Sequence, residues 1–374
     1  MKYLILMTTA ALGLVCSPVL ANELRKECLG RHVFEVPEDI EWAVFHPEYI
    51  NRVSEGGGHG FGRKVGAKGD STVYGPYGST IKVSAIVERS QFEAAAEYQI
   101  GTGRLYQKQL LKDLESHKRL LEQFESGDYP NSIVEDRLRR INEIKKKIPL
   151  AIPTVHELDI PDAYFIGDHE YPTHAYLYRN SRVYFFTTQR AGNEGARAFI
   201  DLMSRFQPRE LYEVPEENGI CIPYGFISDD GRTPYSIKNS LRFTSTPNVV
   251  FTLLTASASD PWHTTSTAGL YDTDFRPGYD SSKWTWREYV QPSYLGRHKV
   301  NLLGWTLEPK PDSGEQERAW FGYATRGGML NPRLAVHMLT FDKGVDDLTE
   351  HTPPMDTVLP QWEALARTLR WRGE

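Results

Sequence analysis

HAYLYRNSRVYFFTTQ, residues 174–189, sets two runs rich in aromatic and β-branched residues on either side of Asn180-Ser181. Alternating polarity places successive side chains on opposite faces of an extended chain, and a short polar turn between two such runs marks an antiparallel hairpin. Strands of the same character are expected at His32–Val36, Ala43–His46 and Thr80–Val87 before the hairpin. Others follow it at Ser240–Thr244, Asn248–Thr255, Lys299–Leu307, Ala319–Thr325 and Arg333–Phe341. The helix that a parallel crossover needs does not follow each of these runs. The expected class is therefore α+β with mostly antiparallel sheets, not a doubly wound fold.

The plan runs twice. CLGRHVFEVP (28–37) and CIPYGFI (221–227) each open a half with a cysteine and short strands, and EGARAFIDLMSRF (194–206) and PQWEALARTLRWR (360–372) each close one with an amphipathic helix. In both helices apolar residues recur at three- and four-residue steps, which makes one face to pack on a sheet. A chain of 374 residues is long for one core. Two α+β domains are expected, each mainly antiparallel sheet with a closing helix: residues 22–207 and 218–374, joined by a charged linker with prolines at 208–217. Residues 90–147 break the symmetry. Leu110, Leu114, Leu121 and Phe124, then a turn at Gly127 to Pro130, then Ile133, Leu138, Ile141 and Ile144 read as a helical hairpin inserted in the first domain.

Residues 1–21 read as an export signal, with Lys2, an apolar stretch from Tyr3 to Val15 and a small-residue cleavage site at Val19-Leu20-Ala21. The mature chain is expected to begin at Asn22 in the periplasm, with no transmembrane segment. A net charge of −6 without a clustered basic stretch argues against a nucleic-acid partner. Two cysteines remain after processing, Cys28 and Cys221. A disulfide between them and two buried free thiols are both open, since sequence cannot place their Cα atoms.

Motifs of chemistry fail on inspection. SEGGGHGFGRKVGAKGD (54–70) holds seven glycines in seventeen residues, yet supplies neither the Gly-Lys-Ser/Thr of a phosphate loop nor glycines at the dinucleotide spacing. Gly69-Asp70-Ser71 lacks the buried strand that should precede a nucleophilic serine of GDSL type. The stretch is expected to be a mobile surface loop. HEYPTH (169–174) spaces its histidines five apart around Pro172, which rules out the helical zinc-protease geometry, and no Gly-x-Ser-x-Gly elbow occurs. No catalytic set, metal or cofactor is expected, so an enzyme would need a site assembled from distant residues. Residues 260–289, by contrast, are rich in aromatics within an expected irregular connection, and tryptophan and tyrosine are enriched at protein interfaces. Trp262, Tyr271, Trp284 and Trp286, with Phe61 at the centre of the glycine-rich stretch, are the candidate partner interface.

The opening CLGR at 28–31 running into FEVP, ENGICIPYGFISDDG (217–231), GWTLEPK (304–310), AWFGYATRGGMLNPRLAVHMLTF (319–341) and WEALARTLRWR (362–372) together resemble the periplasmic immunity proteins of type VI secretion lipase effectors. Most of the resemblance lies in Cys221 to Phe341. It implies a non-enzymatic protein, monomeric when free, that binds a secreted phospholipase and blocks its access to substrate. A periplasmic hydrolase and a generic binding or envelope-scaffold module are the alternatives.

Overall fold

The computed structural model describes residues 24–50, 59–62, 65, 70–156, 159–168, 170–188, 192–257, 281–328 and 331–373. The export signal at 1–21, Trp262 and Tyr271 lie outside the described residues. The chain begins with β1 (Arg25–Leu29), β2 (His32–Val36), β3 (Ile40–Trp42), β4 (Val44–Phe45), β5 (His59–Gly60), β6 (Ser71–Tyr74) and β7 (Ser79–Ile86). The helices α1 (Arg89–Ser126) and α2 (Asn131–Lys147) follow, then β8 (Thr154–His156), β9 (Ala163–Gly167), β10 (Pro172–Arg179), β11 (Arg182–Thr187) and α3 (Gly192–Arg205). Next come β12 (Phe206–Pro208), β13 (Gly219–Ile222), β14 (Gly225–Ser228), β15 (Tyr235–Phe243) and β16 (Val249–Ala256). The chain ends with β17 (Trp284–Leu295), β18 (His298–Pro309), β19 (Ala319–Gly328), β20 (Asn331–Thr340), α4 (Met355–Thr368) and β21 (Arg370–Trp371).

The opening stretch is the expected hairpin. Arg179 pairs with Arg182 across a two-residue turn in which Asn180 and Ser181 both take positive φ, 48° and 56°. That is the twist-matched turn that joins antiparallel strands most tightly. Its strands sit inside one long sheet, ordered β17-β18-β19-β20-β16-β15-β6-β7-β11-β10-β9-β8 among the described residues. The pairing of β6 with β15, Tyr74 opposite Tyr235, carries that sheet from strands before residue 208 to strands after it. The class is α+β, with sheets that are mostly antiparallel.

One face of this sheet carries the main core. Leu241, Phe251, Val336, Met338 and Trp320 meet Phe199, Leu202 and Met203 of α3 and Val358, Trp362 and Leu365 of α4. The last helix differs from the expected 360–372. It runs Met355–Thr368 with Pro360 inside it, and the chain then straightens so that Arg370 and Trp371 pair with Val33 and His32. Tertiary contact outweighs helical propensity here, because β2 offers a free edge and the Trp371 ring lies edge-on to His32, centroids 5.3 Å apart.

The inserted hairpin is present. A capping box starts α1: Gln91 Oε1 accepts from the Glu88 N–H at 2.9 Å while the Glu88 side chain accepts from the Gln91 backbone. Phe92 and Ala95 root α1 on the sheet beside Tyr164, Tyr176 and Phe185. Farther out, Leu110, Leu114 and Ile141 are buried in the seam, whereas Ile133 and Leu138 are exposed, a correction to the expected apolar stripe. The glycine-rich stretch also departs from a mobile loop where it is described. Gly60 pairs with Val44, Val65 is fully buried against Val250 and Leu348, and the Val65 N–H donates to Asp346 Oδ2 at 2.6 Å.

The two cysteines meet between the small sheets. Cys28 and Cys221 form a disulfide with Cα atoms 5.7 Å apart, spanning 193 residues. Gly30 and Cys221 also exchange both backbone hydrogen bonds at 2.8 Å. Beside the bridge lies a buried ion pair, Glu27 Oε1 to Arg209 Nη2 at 2.6 Å, with side chains 0% and 1% exposed. Glu27 further accepts from the N–H groups of Cys28 and Tyr212, and Arg209 donates to the carbonyls of Cys28, Ile222 and Gly225. The segment at 208–217 is thereby clamped to β1 and β14 at its start.

Two outcomes follow from this junction. In the chain-entropy account a bridge across so long a loop contributes about 2–5 kcal/mol, so Cys28→Ser/Cys221→Ser should unfold at markedly lower urea, and protein from an oxidising compartment should show no reactive thiol at either position when denatured without reductant. Arg209→Met should cost about 3–5 kcal/mol by the same urea measurement, because it leaves the buried Glu27 carboxylate without its counter-charge and takes a donor from the carbonyls of Cys28, Ile222 and Gly225.

Candidate functional site

Residues directly opposite one another in antiparallel strands share a face. Glu288 opposes Trp305, Trp305 opposes Phe321, Phe321 opposes Leu339, Leu339 opposes Val250, and Val250 opposes Arg242. The face so defined is the one turned away from the main core. An aromatic row runs across it: Trp305 stacks on Phe321 with centroids 4.8 Å apart, Phe321 on Tyr323 at 6.1 Å and Tyr323 on His337 at 6.2 Å. Trp305, Phe321 and Tyr323 are half-buried. On the opposite face Tyr289 lies over Gly304 and Gly322, where a Cβ would come within 2.6 and 2.3 Å of its hydroxyl. Glycine at those two positions lets the ring lie flat on the strands.

The sequence-derived interface residues that are described gather on this same aromatic face. Trp286 opposes Leu307 and Trp284 opposes Pro309, in phase with Glu288 and Trp305. Both belong to β17 and not to the irregular connection expected through 289: the run from Trp284 alternates, and β18 supplies a twelve-residue partner. Trp284 is half-buried and donates its ring N–H to the Glu317 carbonyl at 3.1 Å. Phe61 packs on the same face near β15 and β16, with the Arg242 guanidinium 4.9 Å from its ring centre. Arg242 is itself held by Glu41 and Asp347, each at 2.8 Å. Cys28 and Cys221 stand apart at the junction between the small sheets. Trp305, Phe321 and Tyr323 were not singled out from the sequence, although the alternation in GWTLEP and AWFGYAT carries the signal that would have found them.

Between Phe61 and the aromatic row the face turns polar. Asp70 is buried and accepts from both the Ser240 N–H at 2.6 Å and the Ser240 hydroxyl at 2.8 Å; Thr252 Oγ1 lies 2.7 Å from that hydroxyl. Burial pushes the Asp70 carboxyl up to about 7, against the opposing pull of the Ser240 hydrogen bonds and Lys238. Burial, with Lys82 adding to it, holds His59 down at about 4, and burial with Lys238 holds His337 at about 3. Both imidazoles are therefore neutral at pH 7. This is not a nucleophilic arrangement. Asp70, 3.8 Å from His59 Nδ1, stands where the base should be, and the Ser240 hydroxyl is buried and bonded to a carboxylate. Among the described residues no cluster of His, Cys, Asp and Glu could hold a metal ion, and no helix is long and apolar enough to cross a membrane.

β13 to β16, which carry Cys221, Ser240, Arg242 and Val250, are also where the chain meets a known family. Residues 213–272 match the model of the C-terminal domain of Tle cognate immunity protein 4. The resemblance to type VI secretion lipase immunity proteins thus rests on a family model over that segment. Among solved structures, the chain is similar to immunity protein TplEi of the type VI secretion system from Pseudomonas aeruginosa complexed with "L" peptide, at 12% identity and a TM-score of 0.49, covering 95% of this chain and 100% of that one. It is similar also to the Tle4–Tli4 complex, at 11% identity and a TM-score of 0.47, covering 94% of this chain and 98% of that one. No curated protein matches.

The polar middle of the face has a pH signature. A carboxyl raised from 3.8 to about 7 binds its proton more tightly folded than unfolded. Its contribution to stability is complete below the lower value and is lost as pH rises through the upper one. Between pH 4 and 7.5 the wild type should therefore lose stability relative to Asp70→Asn, measured as the difference in urea midpoint at each pH; parallel profiles would refute the assignment.

Proposed function

We propose that this chain is an immunity protein that binds a cognate secreted lipase effector in the periplasm and blocks its access to substrate. The family model over residues 213–272 carries the reading. It is supported by the sheet face that those strands help to build, where half-buried aromatic rings lie in a row with Trp284 and Trp286 at one end and Phe61 at the other. Such rings supply contact area at small cost in side-chain entropy, and truncating a central one commonly weakens binding by about 2 kcal/mol or more. The chain would act by occupation and not by catalysis. Export through residues 1–21 would place it where a lipid-cleaving effector works. The aromatic face, built on strands of the 218–374 half, would be the surface that meets the partner.

Trp305→Ala is the decisive variant, because its ring stacks on Phe321 within the row and belongs to none of the buried core clusters. It should weaken binding to a lipase encoded beside this gene at least tenfold by calorimetry, relieve inhibition of that lipase in a vesicle hydrolysis assay, and leave the melting temperature within a few degrees of wild type. Trp284→Ala and Trp286→Ala should act in the same direction. Full inhibition by all three variants would move the contact off this face. Lipid hydrolysis by the purified protein alone would replace the reading with the hydrolase.

A further inference from the structure

A second surface with its own chemistry lies where the β17–β18 turn meets the end of α4. It is a cleft of about 800 Å³, and its charged lining is Arg297, Arg326, Arg367 and Arg370 against a single carboxylate, Glu35. The whole chain carries a net charge of −6, so four guanidiniums on one cleft are a local reversal. Their positions are fixed by the fold. Gly296, at φ +57°, donates its N–H to the Ala366 carbonyl at 2.8 Å, and a Cβ there would come within 2.2 Å of the Leu369 oxygen. Only glycine lets the turn seat on the helix end, and this seating holds Arg297 in register with Arg367 and Arg370.

Arg367 and Arg370 are each braced by a carboxylate, whereas Arg326 is not. Arg370 reaches Glu35 at 3.3 Å and the Thr368 carbonyl at 3.2 Å. Arg367 lies over the Tyr294 ring at 4.7 Å and pairs with Glu363 at 3.4 Å. Arg326 is exposed and has no ion-pair partner among the described residues. An excess of like charge around one cleft opposes stability. Below them the cleft has an apolar floor, the half-buried Leu334 and Trp371.

We propose that this cleft binds a phosphate ester, with the phosphate held by the arginine forks and the organic part lying on the apolar floor. Guanidinium forks match the oxygens of a phosphate, which can accept from several arginines at once. A volume of about 800 Å³ exceeds the need of a bare ion and falls within the range of sites for organic ligands. The same chemistry is offered by a soluble ester and by a phospholipid headgroup. The proposal does not depend on the effector reading, since it concerns a cleft away from the aromatic row.

The test is calorimetry with glycerol 3-phosphate, with glycerol as the neutral control, on the wild-type chain and on Arg326→Ala/Arg367→Ala, with thermal melting to establish that the variant folds. Saturable binding that weakens at least tenfold in the variant supports the site. Flotation with phosphatidylglycerol and phosphatidylcholine vesicles separates the sources: flotation with the former that glycerol 3-phosphate competes away assigns a headgroup, and ester binding without flotation assigns a soluble ligand. Should the double variant misfold, Arg326→Glu, at an exposed position, replaces it. The proposal is overturned if glycerol 3-phosphate gives no saturable heat, or binds the variants as well as the wild type. It is equally overturned if the variants lose affinity for a lipase partner while the wild type ignores phosphate esters, which would make the cleft a contact for an acidic protein segment.

Discussion

The buried pair of Glu27 and Arg209 is the constraint around which the small sheets assemble. A guanidinium 1% exposed is tolerable only if its donors are used, and here they reach one carboxylate and carbonyls from β1, β13 and β14. The arrangement brings together residues about 180 positions apart in the chain, and the disulfide then closes the same junction covalently. Other arginines repeat the device around it. Arg31 joins Asp229 at 2.7 Å and lies over Tyr235, and Arg372 caps the Gly219 and Glu217 carbonyls while facing Phe226. Residues 27–31, Arg372 and the segment near 209–231 are thereby one polar-bonded block beneath the long sheet.

That block and the closing helices occupy one side of the sheet, which leaves the other to do something else. Because side chains alternate, every strand that gives a large apolar residue to the core gives its neighbour to the far face. On β18 and β19 those neighbours are Trp305, Phe321 and Tyr323, with glycines at 304 and 322 on the core side where Tyr289 crosses. The aromatic row is therefore not spare hydrophobicity. It is a second aromatic layer beyond what the main core uses, in strands whose inner side is already filled.

The polar middle of that face is not arranged as a serine-hydrolase triad. Asp70, Ser240 and His59 are the residue types of a hydrolase, and they come together from distant positions as a non-local site would require. Asp70, and not His59, meets the serine hydroxyl, and burial makes His59 a weak base. The hydrogen bonds of Ser240 to Asp70 hold the end of the glycine-rich stretch against β15, while the buried His59 Nδ1 makes no hydrogen bond among the described residues.

Local pattern was enough for much of this. The hairpin at 174–189, the strands at 32–36, 80–87 and 333–341 and the helical insertion follow from periodicity and turn residues, which act over a few positions, and the α+β class follows from them. The far face was legible only in part: Trp284 and Trp286 stood out by composition, whereas Trp305, Phe321 and Tyr323 looked like ordinary strand residues until the register put them in a row. The end of α4 was misread because a free edge on β2, more than 330 positions away, captured Arg370 and Trp371. Nor could spacing alone show that Cys28 meets Cys221 or that Asp346 pins Val65. Sequence determines which residues alternate, cap and turn; which of two faces meets the core, and which distant charges share a site, is decided only when strands far apart in the chain find their register.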